Sequence, residues 1–219
     1  MKGWYLKGHS YRRQVLDQDK YNVLLEETEL LMGQNDLIHS KHASGYFILD
    51  GCITFGGRKY SRDTLLWFTG GSHAEVYLER HVHALYIESM TPLHETFEMQ
   101  IFAADEMDWN RVPAENTCFS KYMLKAEKDD IKFQIIVYAK GFDHEMHSHS
   151  IMHGFYILEG IMKVSYPDRT ENFGPGEFVY MDPGTESIHI QAEECDYCKC
   201  AMIGNGILDF IVNGVNLRG

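Results

Sequence analysis

Apolar and polar residues along the chain change places in short runs, and very few of those runs have helical periodicity. Segments rich in Val, Ile, Tyr and Phe are interrupted by Gly, Pro, Asp or Asn roughly every eight to twelve residues, the pattern of a β-sandwich or barrel. In the second half the pattern predicts strands over Lys132–Lys140, Phe155–Val164, Glu177–Met181, Ser187–Ala192, Tyr197–Ile203 and Ile207–Val212. Between Val23 and Met32, Leu24, Leu25, Leu30 and Leu31 fit a short helix or a strand equally well. One segment is repeated. Gly45-Tyr-Phe-Ile-Leu-Asp-Gly51 returns 109 residues later as Gly154-Phe-Tyr-Ile-Leu-Glu-Gly160. Each copy follows a His-containing stretch and precedes a second apolar run ending in glycine, at Thr64–Gly71 and Glu177–Gly184. The chain therefore reads as two copies of one β-rich unit, residues 1–112 and 113–219, joined in the polar, Pro-containing stretch Asn110–Asn116.

Size and charge narrow the functional classes. A chain of 219 residues with 44% hydrophobic and 13% aromatic content can bury two cores of about a hundred residues each. Its 32 acidic residues against 20 basic ones, a net charge of -12, argue against nucleic acid or an anionic membrane as a partner. Residues 1–20 are polar and charged, without a signal-peptide core, and no apolar run is long enough to span a bilayer, so a cytoplasmic protein is expected. Five cysteines, an odd number, point to reduced thiols. Cys195, Cys198 and Cys200 invite a redox or zinc reading. Their strand-like surroundings and the lack of a second thiol pair favour a core role.

The candidate chemistry lies in histidines. His144, His147, His149 and His153 form a dense run, and His189 follows one strand and turn later. On an extended chain His147 and His149 point to the same side a few ångströms apart, a spacing suited to two ligands of one ion. A returning strand over Ser187–Ala192 can lay His189 beside them. Imidazole ligation suits a divalent transition metal, and several ions satisfy it.

Gly141-x5-His147-x-His149-x3-His153-x6-Gly160 resembles the first motif of the cupins, and Gly176-Glu-Phe-Val-Tyr-Met-Asp-Pro183-Gly184 with His189 resembles the second. The resemblance implies an all-β protein of two tandem cupin barrels (jelly rolls, or double-stranded β-helices). It also implies a metal inside the C-terminal barrel on His147, His149, His153 and His189, with Fe, Mn, Ni or Zn as candidates. His153 stands where that family most often has glutamate. The second motif carries one extra residue before its proline and another before His189. Four neutral imidazoles would leave a divalent ion its full charge and favour an anionic substrate oxygen. A base must then come from outside the ligand set, from Glu145 or Asp143, or the substrate must arrive ionised. Gln191, sharing strand parity with His189, is a candidate for the same cavity.

The aligned positions in the first unit are Ile38, Ser40 and Ser44, so its ligands are missing. His39, His42 and His73 lie close by in sequence as a possible second set, less favoured than a barrel kept for packing. The stretch from Ser187 to Ile211 is similar to the ends of cupins that cleave carbon–carbon bonds in diketones and hydroxy-ketones, which points to a metal-dependent dioxygenase. A non-redox isomerase or lyase of a sugar or keto acid is the alternative, and a ligand-binding or sensing module without catalysis is the third. Strand parity offers Phe155, Ile157 and Tyr180 as walls for a small-molecule substrate. The aromatic-rich composition is compatible with a homodimer.

Overall fold

The protein is described by a computed structural model covering residues 5–7, 10–16, 18–38, 40–71, 73–111, 117–125, 131–142, 145–191 and 194–216; the side chains of Tyr5, Gln18 and residues 189–191 lie outside this description. Two compact units divide it, Met1–Met107 and Asp108–Gly219. The expected junction at 112/113 lies outside the described residues.

Alternating polarity produces strands throughout. The first unit contains β1 (Tyr5–Lys7), β2 (Ser10–Leu16), β3 (Leu24–Leu30), β4 (Gly33–Asp36), β5 (His42–Asp50), β6 (Cys52–Phe55), β7 (Arg58–Ser61), β8 (Thr64–Gly70), β9 (Glu75–Leu78), β10 (Val82–Pro92) and β11 (Glu98–Ala103). The second contains β12 (Asn110–Arg111), β13 (Cys118–Lys125), β14 (Lys132–Ala139), β15 (His153–Glu159), β16 (Met162–Ser165), β17 (Thr170–Phe173), β18 (Phe178–Met181), β19 (Ile188–Gln191), β20 (Tyr197–Gly204), β21 (Ile211–Val212) and β22 (Val215–Asn216). The undecided segment after Val23 is strand β3, because its partners on β2 and β10 bury Leu25 and Leu30 in a ladder.

Strand order carries the repeat further than the seven-residue motif does. The large sheet of the first unit runs β1-β2-β3-β10-β5-β8-β11, and that of the second runs β12-β13-β14-β20-β15-β18. The smaller sheets are β4-β9-β6-β7 and β19-β16-β17, the latter extended at β19's side by an antiparallel bridge between His147 and Ser187. The orders β3-β10-β5-β8 and β14-β20-β15-β18 correspond, with β11 added only in the first unit, and the chain is a tandem pair of two-sheet jelly-roll barrels.

The repeated glycines have specific physical causes. A Cβ on Gly45 would sit 2.3 Å from the Leu66 carbonyl, and one on Gly154 would sit 2.6 Å from Phe178 and 2.9 Å from the Val179 carbonyl. Both let β5 and β15 lie tightly against β8 and β18. Gly160, with φ of 74°, turns the chain from one sheet to the other. The expected single strand Phe155–Val164 is therefore two, β15 in the large sheet and β16 in the small one. Ile207–Val212 is also shorter than expected, because only Ile211 and Val212 pair, with Asn216 and Val215.

Side chains of one parity fill each barrel. In the second, Phe155, Ile157, Val179, Met181, Cys198, Cys200 and Met202 share one core. Among the described residues no helix is long and apolar enough to cross a membrane.

Candidate metal centre

Backbone hydrogen bonds fix the segment 147–153 before any side chain is considered. The His147 N–H donates to the Ser187 carbonyl (3.3 Å), and the Ser187 N–H donates back (2.9 Å). Ser148 exchanges a pair of 2.9 Å bonds with Ile211, and the His149 carbonyl accepts from the Gly184 N–H at 2.8 Å. His153 opens β15, opposite Met181 on one side and Gly204 on the other. Partners at Ser187, Ile211, Gly184, Met181 and Gly204 thus pin the two ends of this segment, and His147, His149 and His153 are all turned inward.

All three imidazoles are buried, with exposures of 2%, 4% and 1%. The rings of His147 and His149 meet edge to face at 4.8 Å between centroids, and those of His149 and His153 at 4.3 Å. His147 Nδ1 lies 2.9 Å from the Glu145 carbonyl, and His149 Nδ1 is hydrogen-bonded to the Asp209 carbonyl. A carbonyl can only accept, so each Nδ1 carries the proton and, in a neutral ring, each Nε2 keeps its lone pair. Burial pushes the His149 pKa down to about 4, with His147 adding to the effect against the opposing Asp209 carbonyl. Burial also holds His153 well below the ordinary histidine range. At neutral pH these two rings are uncharged, the form in which imidazole binds metal.

The donor chemistry therefore fits a divalent transition ion. The described rings rest against one another, and among the described residues no group of three or more His, Cys, Asp and Glu side chains forms a complete cation site. His189 lies outside that description in its side chain. Its backbone is in β19, where position 189 pairs with Val164 and position 191 with Met162. Directly paired residues share a sheet face, and Val164 and Met162 both belong to the barrel core.

Of the remaining candidates, Glu145 is exposed and contributes its backbone carbonyl to His147. Asp143 and His144 lie outside the described residues. Phe155 and Ile157 are core residues, and Phe155 meets the His153 ring edge-on at 5.5 Å. Tyr180 is a correction: it is 43% exposed, stacked on Phe178. In β18 it is Val179 and Met181 that point inward, so Tyr180 takes the outer face.

Two residues escaped the sequence reading. Phe210 stacks on His147 at 4.2 Å between centroids, 19° from parallel, and Asp209 supplies the carbonyl to His149. A signal for them was present in Asn213-Gly214. Both residues have positive φ, 49° and 77°, and form the two-residue turn of the β21–β22 hairpin that brings this segment back.

In the first unit the equivalent positions hold different chemistry. Ser44 pairs with Glu88 as His153 pairs with Gly204, and Tyr46 with Tyr86 as Phe155 with Met202. Arg12, fully buried, donates to Glu26 (2.7 Å), Tyr46 (3.2 Å) and Ser10 (3.1 Å) and lies over the Tyr86 ring. Tyr86 donates to Glu88 at 2.7 Å. Ile38 is packed into the core, and the Ser40 hydroxyl accepts from the His42 N–H. His42 pairs with Glu88 (3.2 Å), and exposed His73 bridges Asp36 (2.8 Å) and Glu75 (3.3 Å). These two histidines serve separate carboxylates, and His39 lies outside the described residues.

All five cysteines are free thiols. Burial pushes Cys198 up to about 12 and Cys200 well above the ordinary thiol range, so neither is a thiolate at neutral pH.

Residues 134–200 match the cupin domain family. No curated protein matches the chain in sequence. Among solved structures, protein Ylba from E. coli is similar with a TM-score of 0.68 and 14% identity, over 94% of this chain and 85% of that one. The cupin 2 conserved barrel domain protein from Leptotrichia buccalis gives 0.65 and 14%, over 91% and 90%. The Lactobacillus farciminis oxalate decarboxylase formate complex gives 0.66 and 14%, over 96% and 86%. Shared topology at such low identity concerns the fold, and together with the matched segment it identifies the chain as a cupin-fold protein whose second unit carries a cupin domain.

Proposed function

We propose that the second unit holds one divalent transition ion, from among Fe, Mn, Ni and Zn, on His147, His149, His153 and His189. We further propose that it cleaves a carbon–carbon bond in a small substrate that chelates through two oxygens. The observation that carries this reading is the pair of buried imidazoles whose Nδ1 protons are directed at backbone carbonyls, so that in the neutral rings Nε2 is the atom with the lone pair. A bound ion would supply Lewis acidity towards the substrate oxygens and, where redox-active, a route to dioxygen. The chain's own residues do the rest. Glu145 and Asp209 hold the ring tautomers through their carbonyls, and Phe155, Met181 and Met202 keep water from the inner wall. The Glu145 carboxylate is exposed, which favours a substrate that arrives ionised or is acidified by chelation.

A dioxygenase acting on a diketone or hydroxy-ketone is the first reading, because an all-imidazole set preserves the ion's charge for an enolate. A non-redox lyase of a keto acid or dicarboxylate is the second, favoured by the similarity to oxalate decarboxylase. Metal analysis of the protein as isolated, repeated for His147→Ala and His153→Ala, tests the site: both variants should lose most of their metal. Retention by His147→Ala would overturn the proposal. Dioxygen uptake with a small diketone then separates the readings, since release of carbon dioxide from a keto acid or oxalate without net uptake selects the lyase.

A further inference from the structure

We propose that the C-terminal hairpin is a positioning device for the ligand histidines, with Phe210 as the residue that orients His147; this rests on the metal reading above. The hairpin closes through Asn213 and Gly214, both in the left-handed region, a turn matched to the twist of paired strands. It places Ile211 in register with Ser148, the residue between His147 and His149, through two backbone bonds of 2.9 Å. Residues 209 and 210 are thereby set beside the two rings that flank Ser148. Phe210 lies flat on His147 at 4.2 Å and edge-on to His149 at 6.0 Å. The Asp209 carbonyl accepts from His149 Nδ1, while its carboxylate accepts from the Ser150 N–H at 2.8 Å and from Asn216 at 3.4 Å. Each of these two imidazoles thus has a backbone carbonyl on Nδ1 and the Phe210 ring against it.

The consequence is directional. A carbonyl on Nδ1 selects the tautomer and restrains the ring in the direction of that bond, and the parallel face of Phe210 adds a flat wall that limits the tilt of the His147 ring plane. Groups that orient a ligand imidazole typically contribute 10–100-fold in metal affinity. Phe210 acts on the ligand and touches no reacting atom, so it is a positioning residue.

The test uses the full chain, stripped with EDTA for one arm and titrated with Co(II) for the other. Long-range 1H–15N NMR of the metal-free protein reads the histidine tautomers directly. The parent should show His147 and His149 protonated at Nδ1, a tautomer that Phe210→Ala should keep because the Glu145 carbonyl selects it, while the His147 ring cross-peaks broaden as the ring samples more than one tilt. In the Co(II) arm Phe210→Ala should weaken binding about 10–100-fold and broaden the ligand-field bands. Phe210→Tyr should restore both. Phe210→Leu keeps an apolar side chain without the flat face and should behave like Phe210→Ala, which covers the case in which the alanine variant does not fold. His147 ring cross-peaks as sharp as the parent's and Co(II) affinity within twofold of the parent, in a folded Leu or Ala variant, would overturn the inference. Failure of the parent to bind Co(II) would sink the metal reading instead, and the NMR arm would still decide whether Phe210 orients His147.

Discussion

His149 combines deep burial with a backbone carbonyl on Nδ1, and the balance of these fixes how the metal-free protein responds to acid. Its folded pKa of about 4 lies below the ordinary 6.5. Between those values the unfolded chain takes up a proton that the folded chain refuses, so stability is lost as pH falls through that window. A shift of this size corresponds to roughly 3 kcal/mol over the window. His153 acts in the same direction. Urea unfolding of EDTA-treated protein at pH 7 and pH 4.5 checks this, with a pH-independent midpoint as the contrary result; His149→Asn should flatten the response. The histidine spacing itself was legible in sequence, because parity alone puts His147 and His149 on one side. Phe210 and Asp209 were not, since stacking and carbonyl contacts across some sixty residues leave no local pattern.

Elements show where local pattern suffices. Gly45 and Gly154 recur because a neighbouring strand occupies the space of a Cβ, and Gly45→Ala or Gly154→Ala should each cost about 1–3 kcal/mol of overpacking. Denaturant midpoints would report it; a neutral Gly154→Ala would mean that β18 shifts freely. The split of Phe155–Val164 was missed because continuous apolar composition conceals a change of sheet, which only the left-handed Gly160 marks. Strand β2 carries a buried arginine that no periodicity announces. Arg12→Leu leaves Glu26 charged in the core and should cost roughly 3–5 kcal/mol, whereas Arg12→Leu with Glu26→Leu should recover much of the loss. Equal losses in the single and double variants would show that the Tyr46 and Tyr86 contacts matter more than the charge.

At the scale of the whole molecule, a shared central strand order around unequal interiors predicts unequal chemistry. The second barrel gathers neutral imidazoles, and the first gathers Arg12, Glu26, Tyr46, Tyr86 and Glu88, with the arginine as its own internal cation. Elemental analysis should therefore find one ion per chain. The double variant Arg12→Leu/Glu26→Leu should keep that ratio; two ions per chain would place a second site in the first unit.

Sequence by itself determined the all-β class, the twofold repeat and the inward pair His147 and His149. Alternation of period two and fixed glycine positions are local properties that survive without any fold. Tertiary structure alone decided that the chain changes sheet at Gly160, that Tyr180 faces out, and that Asp209 and Phe210 close over the histidines. Each of these depends on which strand is paired with which, and pairing is chosen by burial over the whole barrel.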